Sequence, residues 1–291
     1  GSLYSNQTGN YITAIGEKAL ERNTADRNTA VGHHASGYNT IGEFNTTLGI
    51  AAARDATNIN GIVALGYHAM YAQTNSGTLS DNMDSQNTAV GYYAMAGDET
   101  IINKGIANTA VGANALQNLR DGNHNIAIGP ESLYANTDGS NNTVVGSNAM
   151  ESNTTGNNNI AIGLNSTAPA SSTSNSITLG NTDNDNLRCQ DTSISSISDE
   201  RDKTNIVNIP LGLAFLNTVR PVSFDWDARD GSKVGKKDFG FIAQELEELF
   251  PELITNNGNN YKAVNYIGLI PYLVKHIQNL ETRLQRLEKN L

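Results

Sequence analysis

"NTAVGANALQNLRDGNHNIAIGPESL", residues 108–133, holds one short pattern twice: TAVG closing at Gly112 and IAIG closing at Gly129, 17 residues apart. Toward the C-terminus the pattern returns as TVVG at Gly146, IAIG at Gly163 and ITLG at Gly180, each after a further 17 residues. Toward the N-terminus it appears as TAVG at Gly91, VALG at Gly66, TTLG at Gly49, TAVG at Gly32 and TAIG at Gly16. The first three steps are 16, 17 and 17 residues, and two longer steps of 25 and 21 place insertions at residues 71–86 and 96–107. A fixed period of this size means stacked supersecondary units, each resting on its neighbours.

The columns of the repeat assign a task to each position. The residue before glycine is always Ile, Val or Leu (Ile15, Val31, Leu48 and so on to Leu179), which predicts a continuous apolar strip forming the core. Three places after glycine stands Ala or Ser, from Ala19 to Ser166, as expected where backbones approach closely. Four places before glycine, Asn28, Asn45, Asn87, Asn108, Asn125, Asn142 and Asn159 recur. Asparagine suits a turn there, because its amide bonds to nearby backbone and it tolerates positive φ, and stacked copies can form a ladder. Short extended pieces, a glycine corner and an Asn turn predict a mainly β N-terminal domain over residues 1–190, a β-solenoid or β-roll. One or two large apolar residues per coil is a thin core against the chain entropy it must offset, so association between chains is expected.

Composition narrows the function. Among 291 residues, 38% are hydrophobic and the net charge is −10, without a basic stripe, so a nucleic-acid partner is not expected. No apolar run is long enough to cross a bilayer, and membrane insertion is not expected. The lone cysteine, Cys189, excludes an internal disulfide framework and reads as a small buried side chain. The opening Gly1-Ser2 reads as a cloning scar, with the chain as the C-terminal piece of something longer. The repeats over residues 12–180 resemble the head repeats of trimeric autotransporter adhesins and similar arrays in phage tail fibres. That resemblance implies a left-handed β-roll, with three chains around one axis and the Ala/Ser column near it.

After residue 190 the texture changes to an α+β segment, residues 191–291. Residues 208–220 have the apolar spacing of a short helix stopped before Pro221. "VSFDWD" reads as a strand with Phe224 and Trp226 on one face, Trp226 in the core, and "GSKVGKK" as a solvated hairpin-like loop. Phe241, Leu246, Leu249 and Phe250 mark an amphipathic helix ended near Pro251. Ile270, Leu273, Ile277, Leu280, Leu284, Leu287 and Leu291 step by three and four, predicting a coiled coil over residues 268–291. Ile at a with Leu at d by itself favours two strands, against the three expected of the fibre.

"SDERDKTNI" (198–206), "FGFIAQELEELFPELI" (239–254) and "YKAVNYIGLIPYLVKHIQNLETRLQRLE" (261–288) together resemble the chaperone-of-endosialidase family, over roughly residues 196–291. That family comprises self-cleaving intramolecular chaperones at the C-termini of phage tail spikes and fibres. The resemblance implies a domain that trimerises, guides folding of the fibre before it, and cuts itself away with a Ser–Lys dyad. Ser198 would be the nucleophile, Lys203 its general base, and the cut would fall between Ile197 and Ser198. Asp202 departs from the pattern, standing where relatives often carry an apolar residue.

A lysine acts as base only while neutral, a form that burial favours and adjacent carboxylates oppose. Asp199, Glu200 and Asp202 are such carboxylates. In an extended chain Ser198 and Lys203 fall on opposite faces, so a turn is required to join them, and assembly is expected to provide bend and burial. Arg201, Asn205 or backbone amides are candidates to support the oxyanion, with Asp199 as a further supporting residue.

No cofactor or metal site is expected. His33, His34, His68, His124 and His276 lack metal spacing, and His34 and His68 read as outward-looking surface residues. The expected partners are two further copies of the chain and a host cell-surface receptor, a glycan or an outer-membrane component, met at the two insertions. The expected location is the virion tail, after synthesis in the host cytoplasm. Two other classes compete. A bacterial trimeric adhesin without self-cleavage would need membrane-embedding strands where this chain has a charged coiled coil. A glycan-cleaving spike would need paired carboxylates, for which Glu131, Asp138 and Asp183 are candidates.

Overall fold

The structure, a computed structural model, describes residues 1–72, 83–97, 103–184, 198–209, 218–227, 234–257 and 261–289. It divides into two compact units, Gly1–Asn184 and Asp185–Leu291.

The first unit is a β-solenoid. Ten three-residue strands, from Thr13–Ile15 to Ile177–Leu179, form one parallel sheet in chain order. The register matches column to column: Thr109, Ala110 and Val111 lie beside Ile126, Ala127 and Ile128, which lie beside Thr143, Val144 and Val145. The opposite wall is bonded from coil to coil as well, Leu116 N–H donating to Ser132 O at 3.0 Å and Leu133 N–H to Ala149 O at 3.0 Å. The glycines sit at a φ that side chains avoid, Gly129 at +129°. A Cβ on Gly129 would lie 2.5 Å from the carbonyl oxygen of Gly146 in the next coil, so both backbone freedom and space demand glycine.

The strip before glycine is not the core. Strand side chains alternate, and the residue two places before glycine points inward: Ala30, Ala64, Ala89, Ala110, Ala127, Val144 and Ala161 are fully buried. Ile15, Leu48, Ile162 and Leu179 face out, 46–60% exposed. The physical reason is the flatness of the coil, whose walls approach so closely that alanine fills the strand side. Bulk comes instead from four places after glycine, where Leu20, Met70, Met95, Leu116, Leu133 and Met150 are buried. The Ala/Ser column three places after glycine lies in this same interior, with Ala19, Ala115 and Ser132 fully buried inside one chain, so it does not line an axis between chains. Where Thr47 takes an inward strand position, its hydroxyl meets that of Ser36 at 3.1 Å, pairing two polar groups in the core.

The asparagine column forms the expected ladder. Asn108 Oδ1 accepts from Asn125 N–H at 2.9 Å, Asn125 Oδ1 from Asn142 N–H at 3.1 Å, and Asn142 Oδ1 from Asn159 N–H at 3.0 Å. Each amide Nδ2 also donates across its own coil, as from Asn125 to Gly139 O at 2.8 Å. Positive φ belongs to the residue before, His124 at 56°, Asn141 at 59° and Asn158 at 55°, so the asparagine is there for hydrogen bonding rather than for its backbone.

The second unit is small and mixed. Val222–Asp225 pairs antiparallel with Lys237–Gly240, and Ile254–Asn257 with Tyr261–Val264. A helix, Ala243–Leu249, ends before Pro251 and buries Leu246, which with Phe250, Leu253 and Leu269 makes the local core. Trp226 is not in that core. It is 36% exposed, edge-on to Phe224, with its indole N–H donating to Asp238 at 3.2 Å, because it lies one residue past the strand that would have carried it inward. The C-terminal helix, Ile270–Glu288, has no buried residue, and its seam Ile270, Leu273, Ile277, Leu280, Leu284 and Leu287 is exposed along its length. Cys189, the body of the expected helix in 208–220, parts of both insertions and of the 231–237 loop, and Leu291 lie outside the described residues.

Candidate functional site

Residues 198–203 make the turn that the sequence required. Asp199 is extended and caps a single 3-10 turn, Glu200–Asp202, its carboxylate accepting from Arg201 N–H at 2.9 Å. The turn closes with Lys203 N–H donating to Glu200 O at 3.1 Å. Lys203 is thereby brought back over Ser198: its Nζ lies 2.5 Å from Ser198 Oγ and 3.0 Å from Ser198 O.

The neighbouring charges are arranged around this turn. The Arg201 guanidinium grips Asp199 with both Nε at 2.9 Å and Nη2 at 2.6 Å. This pairing holds the Asp199 carboxyl below the usual carboxylate range and lifts Arg201. Arg201 is thus engaged in bracing the turn, and Asp199 directs its charge to Arg201. Asn205 occupies the left-handed region at φ 54°, bending the chain after the turn. Ser198 and Lys203 are both exposed in the single chain, and so are the adjacent apolar residues Ile206 and Val207, at 65% and 81%. Ile206 closes the motif quoted from the sequence, but the exposure of this apolar pair beside the turn was not read from it. Ile197, the other side of the expected cut, lies outside the described residues.

Two of the three candidate carboxylates are paired with other side chains. Asp138 is held by Arg120 at 2.8 Å and Glu131 accepts from Asn148 at 2.9 Å, each tied to its own neighbour. Among the described residues no group of three His, Cys, Asp or Glu is placed to hold a metal ion. No helix among them is long and apolar enough to cross a membrane. His34 and His68 are half-buried rather than freely solvated. His68 is stacked between tyrosines, and burial draws both imidazoles below the usual histidine value.

Residues 198–255 match the family model described as chaperone of endosialidase, a peptidase family. The match opens on Ser198 and takes in Lys203, the bracing pair and the core around Leu246 and Phe250. No curated protein matches the chain. The molecule therefore joins a repetitive β-solenoid to a C-terminal chaperone-of-endosialidase segment.

Proposed function

We propose that this chain is the C-terminal part of a tail-fibre-like homotrimer whose last domain, residues 191–291, promotes assembly and then cuts itself off between Ile197 and Ser198. The observation that carries the reading is the contact of Lys203 Nζ with Ser198 Oγ at the first residue of the family match. Ser198 Oγ attacks the carbonyl carbon of Ile197, which closes a five-membered ring, while neutral Lys203 takes the hydroxyl proton. The tetrahedral carbon then expels the Ser198 nitrogen, which receives that proton from Lys203. The product is an ester between Ile197 and the Ser198 side chain. Water opens the ester, leaving a carboxylate at Ile197 and a free amine at Ser198.

The exposure of the pair explains why cleavage follows assembly. A lysine in water carries its proton and is no base, and covering it with neighbouring chains favours the neutral form. Ile206 and Val207 beside it supply an apolar surface for that cover. The helix Ile270–Glu288, with its exposed heptad seam, is the proposed coiled coil that gathers three copies, and the outward Ile/Val/Leu columns of the solenoid continue the interface. Release leaves a fibre in the virion tail, displayed for host attachment.

Intact-mass spectrometry tests the chemistry. The parent is expected to yield new termini at Ile197 and Ser198, and Ser198→Ala and Lys203→Ala to remain whole at 31.1 kDa. Uncleaved chains in all three would remove the dyad.

A further inference from the structure

Two imidazoles and one guanidinium share a face of three successive coils, those that follow Gly32, Gly49 and Gly66. Arg54 stands in the middle coil, its guanidinium over Tyr38 of the coil before at 5.6 Å and over Tyr71 of the coil after at 4.2 Å. Tyr71 is stacked flat on His68, centroids 4.4 Å apart at 3°, and His68 in turn on Tyr67 at 4.1 Å and 15°. A ring stacked so closely leaves no room for a guanidinium on the same side, so Arg54 and His68 take the two faces of Tyr71. Toward the N-terminus, His34 meets Tyr38 edge-on at 6.3 Å. His34 Nδ1 is buried with no hydrogen-bond partner among the described residues, and a Cβ on Gly37 would stand 3.2 Å from it. In the neutral ring the hydrogen belongs on Nε2, and a second one placed on Nδ1 would be buried with nothing to accept it.

We propose that His34, Arg54 and His68 form an acid-sensitive latch: neutral imidazoles let the stack tie residues 33–72 together, and proton uptake sets three cations on one face and releases it. The surroundings give the sign. Around His34 stand the cations Lys18 and Arg54, the carboxylate of Glu21, and the ring of His33 at 4.4 Å, itself 3.9 Å from Glu17. Around His68 stand Arg54 and Asp55, with Tyr67, Tyr71 and Tyr93 against its ring. Asp55 is already engaged by Arg54 through two bonds of 2.9 and 3.0 Å. A protonated His68 would be drawn to the face of Tyr71, but Arg54 holds the opposite face, so one ring would sit between two cations. Burial first, then His33 and Lys18 for His34 and Arg54 for His68, hold both imidazoles below the usual histidine value. Below about pH 6.5 the unfolded chain therefore binds protons that the folded coils refuse, and stability is lost as the pH falls until the folded imidazoles titrate as well. The latch lies outside the self-cleavage reading and does not depend on it.

Hydrogen exchange read by mass spectrometry on the full-length Ser198→Ala chain tests the latch. Between about pH 7.5 and 5, with intrinsic exchange rates corrected, the coil-to-coil amides of residues 33–72 are expected to lose protection tenfold or more. Two of these are Tyr38 N–H, bonded to Arg54 O at 3.0 Å, and Ala53 N–H, bonded to Ala69 O at 2.9 Å. Residues 126–163, which contain no histidine, should keep their protection. His34→Gln with His68→Phe, a pair that cannot titrate, should abolish the loss, while His124→Gln, which removes an exposed imidazole elsewhere, should leave it in place. Labelled-histidine NMR on the Ser198→Ala chain supplies a second readout that no folding defect of a histidine variant can blur: the His34 and His68 signals should shift over the range in which the amides lose protection. An equal loss in the double variant, a loss spread evenly over the solenoid, or imidazoles that titrate while residues 33–72 stay protected would overturn the latch.

Discussion

The double variant Ile160→Asp, Ile162→Asp, made in the Ser198→Ala background, is expected to sediment as single chains where Ser198→Ala alone sediments as three. Both isoleucines lie on the outward face of the strand Ile160–Ile162, 39% and 46% exposed, while Ala161 between them is fully buried. Nothing inside the coil depends on them, so the solenoid keeps its β spectrum. Between chains the change is severe. Fully burying an exposed isoleucine is worth about 1.5–3 kcal/mol, of which these two, already more than half covered, would gain about 1 kcal/mol each on association, and each is present three times around the proposed axis. Carboxylates gathered there would add unpaired charge in a drying interface. The outward columns are most apolar in the last coils, where Ile126 with Ile128, Ile160 with Ile162, and Ile177 with Leu179 stand in pairs. In the first coils the outer partner is instead Thr13, Thr29 or Thr46. Ile15→Asp is therefore expected to leave the trimer assembled. A double variant that stays trimeric would leave assembly to the helix Ile270–Glu288 or to another face of the solenoid.

The second large effect belongs to the ladder. Asn125→Ala removes an acceptor for Asn142 N–H and donors to Gly139 O and Asn108 Oδ1, all inside the coil. Asn142 Nδ2 loses the same acceptor. A buried group left without a partner costs about 1–3 kcal/mol, so the loss of four bonds in one column should lower the stability of the solenoid by roughly 3–5 kcal/mol once partial relaxation is allowed. Thermal unfolding followed by circular dichroism measures it. Ser152→Ala gives the contrast, because Ser152 is exposed on the same unit and a change there should stay within about 0.5 kcal/mol. Equal midpoints for the two variants would show that the column carries no structural weight.

The repeat made much of the fold legible. Period, glycine corners and the asparagine ladder follow from residue type and spacing, because a coil stacked on its copy forces the same chemistry at the same step. Which side of the wall is interior did not follow. Ile, Val and Leu before glycine look like core, yet alternation along a three-residue strand sends Ala127 inward and Ile126 and Ile128 outward. Only the closeness of the two walls decides it, and closeness is a tertiary property. Leu116, Leu133 and Met150 recur at their own fixed distance from glycine, a signal present in the sequence but masked by Ser36 and Ala53 in the same column.

The candidate site was legible as a requirement rather than a shape. A spacing of five from Ser198 to Lys203 called for a bend, and the 3-10 turn capped by Asp199 provides it. The role of Arg201 was not visible in the sequence, since a guanidinium two residues from a carboxylate can face either the carboxylate or a reacting carbonyl. Its bidentate hold on Asp199 is the geometry found. The stack of Tyr67, His68 and Tyr71 was hidden for a similar reason: residues one and three apart in a tight coil meet only once the backbone is placed.

The central claim is that a chain with so lean a core, and with its largest aliphatic columns turned outward, is completed by two copies of itself. Sedimentation equilibrium of the Ser198→Ala variant, which keeps every chain whole, tests it directly. The account predicts a particle of three times 31.1 kDa that persists at nanomolar concentration. A folded particle of 31.1 kDa, with the solenoid's β spectrum intact, would contradict it.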